Sequence, residues 1–138
     1  MNSSVRHILL VEDNPGDVRL IEESLRAHDI PYRLTCCDAV DVAVQTVSSY
    51  REGDSEIPDL VLLDYNLPRG ESRAVLTAAM NNPVLTRIPK AVVTSSLAPR
   101  DREDALRNGA DCFIYKPADL DTFLNEVGSK IAQLLKIE

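Results

Sequence analysis

A chain of 138 residues is one ordinary domain, long enough to bury about two-thirds of the surface it exposes when unfolded. Its 15 Lys and Arg against 22 Asp and Glu leave a net charge of −7, a field that repels nucleic-acid phosphates and anionic lipid headgroups, so neither is an expected partner. With 44% hydrophobic and 27% charged residues the composition is that of a globular core, not of a disordered tail, a collagen or a coiled coil.

His7 to Val11 is a short apolar run that enters turn chemistry at Glu12-Asp13-Asn14-Pro15-Gly16, the pattern of a buried strand followed by a loop. From Asp17 to about His28, Val18, Leu20, Ile21 and Leu25 share one side of a helix and Asp17, Arg19, Glu22, Glu23 and Arg26 the other. Tyr32 to Cys36 reads as a second strand, and Ala39 to about Tyr50 as a second helix built on Val40, Val42, Ala43, Val44 and Val47. Leu60 to Leu63 is a continuous apolar run, as expected of a parallel strand covered on both faces, and it stops at Asp64. A third helix carries Val75, Leu76, Ala79 and Met80, a fourth strand spans Ala91 to Thr94, and a polar fourth helix from Asp101 to Asn108 closes at Gly109. In that helix Ala105 and Leu106 are the core candidates. Cys112 to Tyr115 is a fifth strand, and Leu120, Phe123, Leu124, Val127, Ile131, Leu134 and Leu135 mark a final helix lying on the sheet.

Five strands alternating with helices imply right-handed crossovers and an open, doubly wound parallel α/β sheet with helices on both faces. A single domain over 1–138 with no output domain is expected. The N-terminal apolar stretch is too short for a signal peptide or a membrane span, and the three cysteines, Cys36, Cys37 and Cys112, lack disulfide or ligand spacing. Both point to the cytoplasm. His7 and His28 have no partner at ligand spacing and are expected at the surface or a strand end.

Sheets of this kind place functional groups beyond the carboxyl ends of their strands. Those ends carry Glu12-Asp13, Asp64-Tyr65-Asn66, Thr94-Ser95-Ser96 and Lys116-Pro117. Each alone has a plain structural reading: acids after a strand cap helices, Thr94 can cap the next helix, and Lys116 can lie over apolar neighbours. Together they form a constellation at four of five strand ends. Three converging carboxylates need a cation, and Mg²⁺ takes oxygen ligands while leaving room for a phosphoryl oxygen. An aspartate beside Mg²⁺ and a lysine is equipped to attack phosphorus.

On the segments ILLVEDNPGDVRLIEE, PDLVLLDYNLP, IPKAVVTSS and GADCFIYKP, in that order, the chain resembles response-regulator receiver domains of two-component signalling over nearly its whole length. The resemblance implies a flavodoxin-like (βα)5 fold with strand order 2-1-3-4-5. It also implies that Asp64 is the phosphoacceptor and that Glu12, Asp13 and Asp64 bind Mg²⁺, one acid through water, with the backbone carbonyl of Asn66. Thr94 would be the switch hydroxyl, Lys116 the ion pair to the phosphoryl group and Phe113 the aromatic switch. Asn66 and Ser96 would flank the water path and set the phosphoryl lifetime. Lys116-Pro117 would be a cis peptide. Ser72 stands where many relatives carry glycine.

The PGDVRLIEE and NNPVLTRIP segments and the loop before PDLVLLD resemble single-domain regulators that partner phytochrome-type photosensor kinases. The expected function is a stand-alone switch that takes a phosphoryl group from a sensor histidine kinase and alters the surface of the fourth helix, fifth strand and fifth helix, through which it would form a homodimer. It would not be an enzyme beyond phosphorylating and dephosphorylating itself, and it would act on an unidentified downstream protein. Alternatives are an aspartate-nucleophile phosphatase, opposed by Asn66 where such enzymes carry a second aspartate, a flavin binder, and a phosphorylation-independent interaction module.

Overall fold

The structure, a computed structural model, describes residues 4–65 and 71–137. In chain order the elements are β1 (Arg6–Val11), α1 (Pro15–Ala27), β2 (Tyr32–Cys37), α2 (Val40–Ser49), β3 (Leu60–Asp64), α3 (Glu71–Met80), a 3₁₀ turn (Pro83–Leu85), β4 (Lys90–Thr94), α4 (Pro99–Arg107), β5 (Cys112–Tyr115) and α5 (Leu120–Leu134). The strands pair in parallel as β2-β1-β3-β4-β5, the order the resemblance implies. Two helices start two residues earlier than the apolar pattern suggests. In both, a proline occupies the first turn, where its missing N–H costs nothing and its fixed φ suits the helix.

Alternation along the strands explains why the central runs are apolar throughout. Leu9, Val11, Val61, Leu63 and Val92 face Ala43 and Val47 of α2, Val75, Leu76 and Ala79 of α3, and Ala105 of α4. Ile8, Leu10, Leu60, Leu62, Ala91, Val93 and Ile114 face Ile21 and Leu25 of α1 and Phe123, Val127 and Ile131 of α5. Each fully buried aliphatic side chain contributes on the order of 1.5–3 kcal/mol, so a polar residue in place of Ile8 to Leu10 or Leu60 to Leu62 would be costly. The register is held at the opposite end by aspartates that precede strands. Asp59 accepts from the N–H of His7 at 2.8 Å and donates its own N–H to the carbonyl of His7 at 2.7 Å. Asp111 does the same for Lys90, at 2.9 and 2.7 Å.

Gly128 lets α5 lie against α1. A Cβ there would sit 2.2 Å from Cδ2 of His28 and 2.7 Å from the carbonyl oxygen of Ser24, and the His28 ring caps the contact with Nε2 3.0 Å from the carbonyl oxygen of Asn125. Gly109 ends α4 at φ +115°, a conformation that favours glycine.

Several expectations are corrected. Leu106 is 41% exposed and leaves Ala105 as the buried residue of α4; Met80 and Leu120, at 54% and 53%, are likewise outside the core. Their helical phase puts them at the edge of each apolar stripe, where the neighbouring element does not reach. His7 is buried, its Nε2 2.7 Å from Oγ1 of Thr35, with Nδ1 unpartnered; burial, and secondarily the Arg33 charge, push its pKa down. Cys112, on the edge strand β5, is half-buried. The described residues contain no cis peptide, so Lys116-Pro117 adopts the trans form that X-Pro bonds favour by about 0.5–1 kcal/mol. Among the described residues no helix is long and apolar enough to cross a membrane.

Candidate functional site

With the order 2-1-3-4-5, consecutive connections leave β1 and β3 in opposite directions, and the crevice between their carboxyl ends is the switch point where such sheets bind ligands. Glu12 follows β1 and Asp64 ends β3, so the two acids flank that crevice. Glu12, Asp13 and Asp64 each offer a carboxylate oxygen, all within 4.8 Å of one another; Glu12 and Asp64 are buried and Asp13 is exposed. Three hard oxygen donors with one open side suit a hydrated divalent cation. Asn66 lies outside the described residues.

Lys116 comes to the same point from the end of β5. Its backbone N–H donates to the carbonyl of Thr94 at 2.7 Å, which carries the pairing of β4 and β5 one residue past β5 and aims the side chain into the crevice. The ammonium lies 3.1 Å from Oε1 of Glu12, 3.3 Å from Oδ1 of Asp64 and 3.1 Å from Oδ2 of Asp17. The lysine side chain is 7% exposed, against 1% for Glu12 and 5% for Asp64. Burial works against the ammonium, but Asp64, Glu12 and Asp17 outweigh it and raise its pKa. The carboxyl of Glu12 is pushed up to about 7, chiefly by burial, with a hydrogen bond to Asp64 adding and Lys116 opposing.

Thr94 is buried at the end of β4, and its hydroxyl oxygen accepts from the N–H of Ser96 at 3.1 Å. The hydroxyl of Ser96 donates to Asp101 in the first turn of α4 and accepts from the N–H of Ala98 at 3.1 Å. Phe113 is half-buried, packed on the same side of the sheet as Val92 and Ala105.

Three features of this end of the molecule escaped the sequence reading. Asp17, placed there on the side of its helix away from the apolar residues, reaches Lys116. Ser72, buried in α3, donates its hydroxyl to the carbonyl of Asp64 at 2.8 Å and so fastens the end of β3 to the next helix. Tyr65 donates its phenol to Asp104 of α4, and Arg73 of α3 donates to both carboxylate oxygens of Asp104 at 3.0 Å. Asp17 left a usable signal: it stands three residues after the cap Asn14, at the same sheet end as Glu12. Inspection of only the residues that directly follow strands passes over it.

Acids and a lysine gathered at the switch point of a doubly wound α/β sheet define a domain suited to phosphoryl transfer beside a divalent cation. The family model for the response regulator receiver domain matches residues 8–128, and the chain belongs to that family. Response regulator Rcp1 of Synechocystis sp. is 35% identical over 114 residues, covering 82% of this chain and 78% of that one. The crystal structure of the phosphorylated cyanobacterial phytochrome response regulator RcpA superposes with a TM-score of 0.81 at 30% identity, over 96% of this chain and 95% of that one. The Mn²⁺-bound form of Rcp1 gives 0.76 at 31% identity, over 93% and 92%.

Proposed function

We propose that this chain is a signalling switch that accepts a phosphoryl group from a histidine kinase on Asp64. The observation that carries the reading is the placement of the Lys116 ammonium 3.3 Å from Asp64, within the Glu12, Asp13 and Asp64 cluster. A carboxylate oxygen of Asp64 attacks phosphorus; the P–O bond forms as the P–N bond to the kinase imidazole breaks, and the imidazole nitrogen keeps the electron pair. Lys116 offsets charge on the phosphoryl oxygens. Glu12, Asp13 and Asp64, with the carbonyl of Asn66, would hold Mg²⁺, whose contribution is to offset charge on those same oxygens; the all-oxygen donor set and the Mn²⁺-bound state of Rcp1 support this.

Phosphorylation adds about 1.5 to 2 negative charges, which draws the Thr94 hydroxyl inward at the expense of its bond from Ser96 and frees space for Phe113. The β5 and α4 surface then changes, and this face, bearing Tyr115 and Arg102, is the proposed contact for a second copy or a downstream protein. Asn66 and Ser96 set the phosphoryl lifetime through access of water. The kinase is a phytochrome-type photosensor, a choice supported by the likeness to RcpA, and the switch acts in the cytoplasm. Incubation with Mg²⁺ and acetyl phosphate, followed by intact mass, tests the assignment. One base-labile phosphoryl group is expected on the wild type and none on Asp64→Asn; equal uptake by that variant would overturn it.

A further inference from the structure

An ammonium has three hydrogens to donate, and in Lys116 all three face carboxylates from different elements: Glu12 after β1, Asp64 on β3 and Asp17 on α1. A phosphoryl oxygen arriving at Asp64 can therefore receive a hydrogen from Lys116 only by displacing an acceptor already in place. Glu12 is 1% exposed and cannot turn into water, so it stays beside the lysine whether or not a metal ion shares its carboxylate. Asp64 carries the phosphoryl group itself. Asp17 is 34% exposed and can turn into water at little cost.

The start of α1 shows that this contact is not a by-product of helix capping. Asn14 caps the helix by accepting from the N–H groups of Gly16 and Asp17 at 2.8 and 3.2 Å. An acid three residues after the cap ordinarily returns a bond to the cap's own N–H. Here that N–H goes to Oε2 of Glu12, at 3.3 Å, and the carboxylate of Asp17 crosses to Lys116.

We propose that Asp17 is a positioning residue that holds the third hydrogen of Lys116 in the resting state and releases it to the phosphoryl group, so that it competes with phosphorylation and resets the lysine afterwards. The inference rests on the assignment of Asp64 as acceptor. Its test is binding of beryllofluoride, a non-covalent mimic of a carboxylate-bound phosphoryl group, at saturating Mg²⁺, followed by calorimetry.

Asp17→Asn should bind the mimic about two- to fivefold more tightly than the wild type, the range set by a half-exposed ion pair. Asp17→Glu, which keeps the charge, should bind as the wild type does. In a Lys116→Met background Asp17→Asn should change nothing, because its effect runs through the lysine. Unchanged affinity in Asp17→Asn, tightening of the same size in Asp17→Glu, or equal tightening with and without Lys116 would each overturn the proposal. Where Lys116→Met abolishes binding, the Asp17→Glu result decides. A wild type that binds no mimic, like Asp64→Asn, would instead overturn the assignment of Asp64 and this proposal with it.

Discussion

The phenol of Tyr65 donates to the carboxylate of Asp104, so the residue directly after Asp64 is bonded to the middle of α4. Arg73 completes the arrangement from α3, and the group ties three elements together at the rim of the site. Burial and then the bond to Asp104 push the Tyr65 phenol up to about 12, while the same bond holds Asp104 below the usual carboxylate range.

Tyr65→Phe removes the donor and keeps the ring. We expect a loss of about 1 kcal/mol in urea unfolding and faster amide exchange along α4, with the other helices unchanged. The phenol is more acidic unfolded than folded, so its contribution is complete below about pH 10 and disappears between 10 and 12 as the proton leaves. Wild type and variant should thus converge in stability over that window; an unchanging gap would show that the bond does not stabilise the fold.

Glu12 gives a second pH dependence, of opposite use. Its carboxyl titrates near 7 when folded and near its usual 4.5 when unfolded, so between those values only the folded chain holds the proton. The metal-free protein should lose stability from this group as pH rises through 5 to 7. A divalent cation needs the ionised carboxyl, so Mg²⁺ should raise the melting temperature more at pH 8 than at pH 6. Melting in chelator and in Mg²⁺ at both pH values, with Glu12→Gln as comparison, checks this: equal shifts at the two pH values would refute it.

Gly128→Ala sets two effects against each other. Alanine favours a helix over glycine by about 1 kcal/mol, whereas overpacking costs typically 1–3 kcal/mol. The new methyl would meet the backbone carbonyl of Ser24, which cannot move aside as the His28 ring can. Overpacking should win by about 1 kcal/mol in chemical denaturation, and His28→Ala should relieve only part of it. A stabilised Gly128→Ala would mean that α5 shifts freely on α1.

Architecture was legible in the sequence because central strands of a covered parallel sheet announce themselves as unbroken runs, as Leu60 to Leu63 does. The acids and Lys116 were legible for a related reason: each stands where an apolar strand run stops. Asp17 was not, since helical periodicity separates a core side from the rest without distinguishing water from the end of a sheet. The bond from Ser72 to the carbonyl of Asp64 and the tie between Tyr65 and Asp104 depend on loop paths that no residue pattern encodes. His7 lies at the start of β1, a strand-end position the sequence allowed, but its burial was not legible because it comes from the neighbouring edge strand, not from its own sequence context.

The chain has four tyrosines and no tryptophan, so its ultraviolet emission comes from phenols alone. An excited phenol is a far stronger acid than one in its ground state, and a carboxylate already hydrogen-bonded to it takes the proton and darkens it. Tyr65 on Asp104 and Tyr32 on Glu22 are placed to be dark in this way, while Tyr50 and Tyr115 have no such carboxylate bond among those the structure shows. Separation of Tyr65 from Asp104 therefore brightens the protein without any label, and the light comes from the residue next to Asp64.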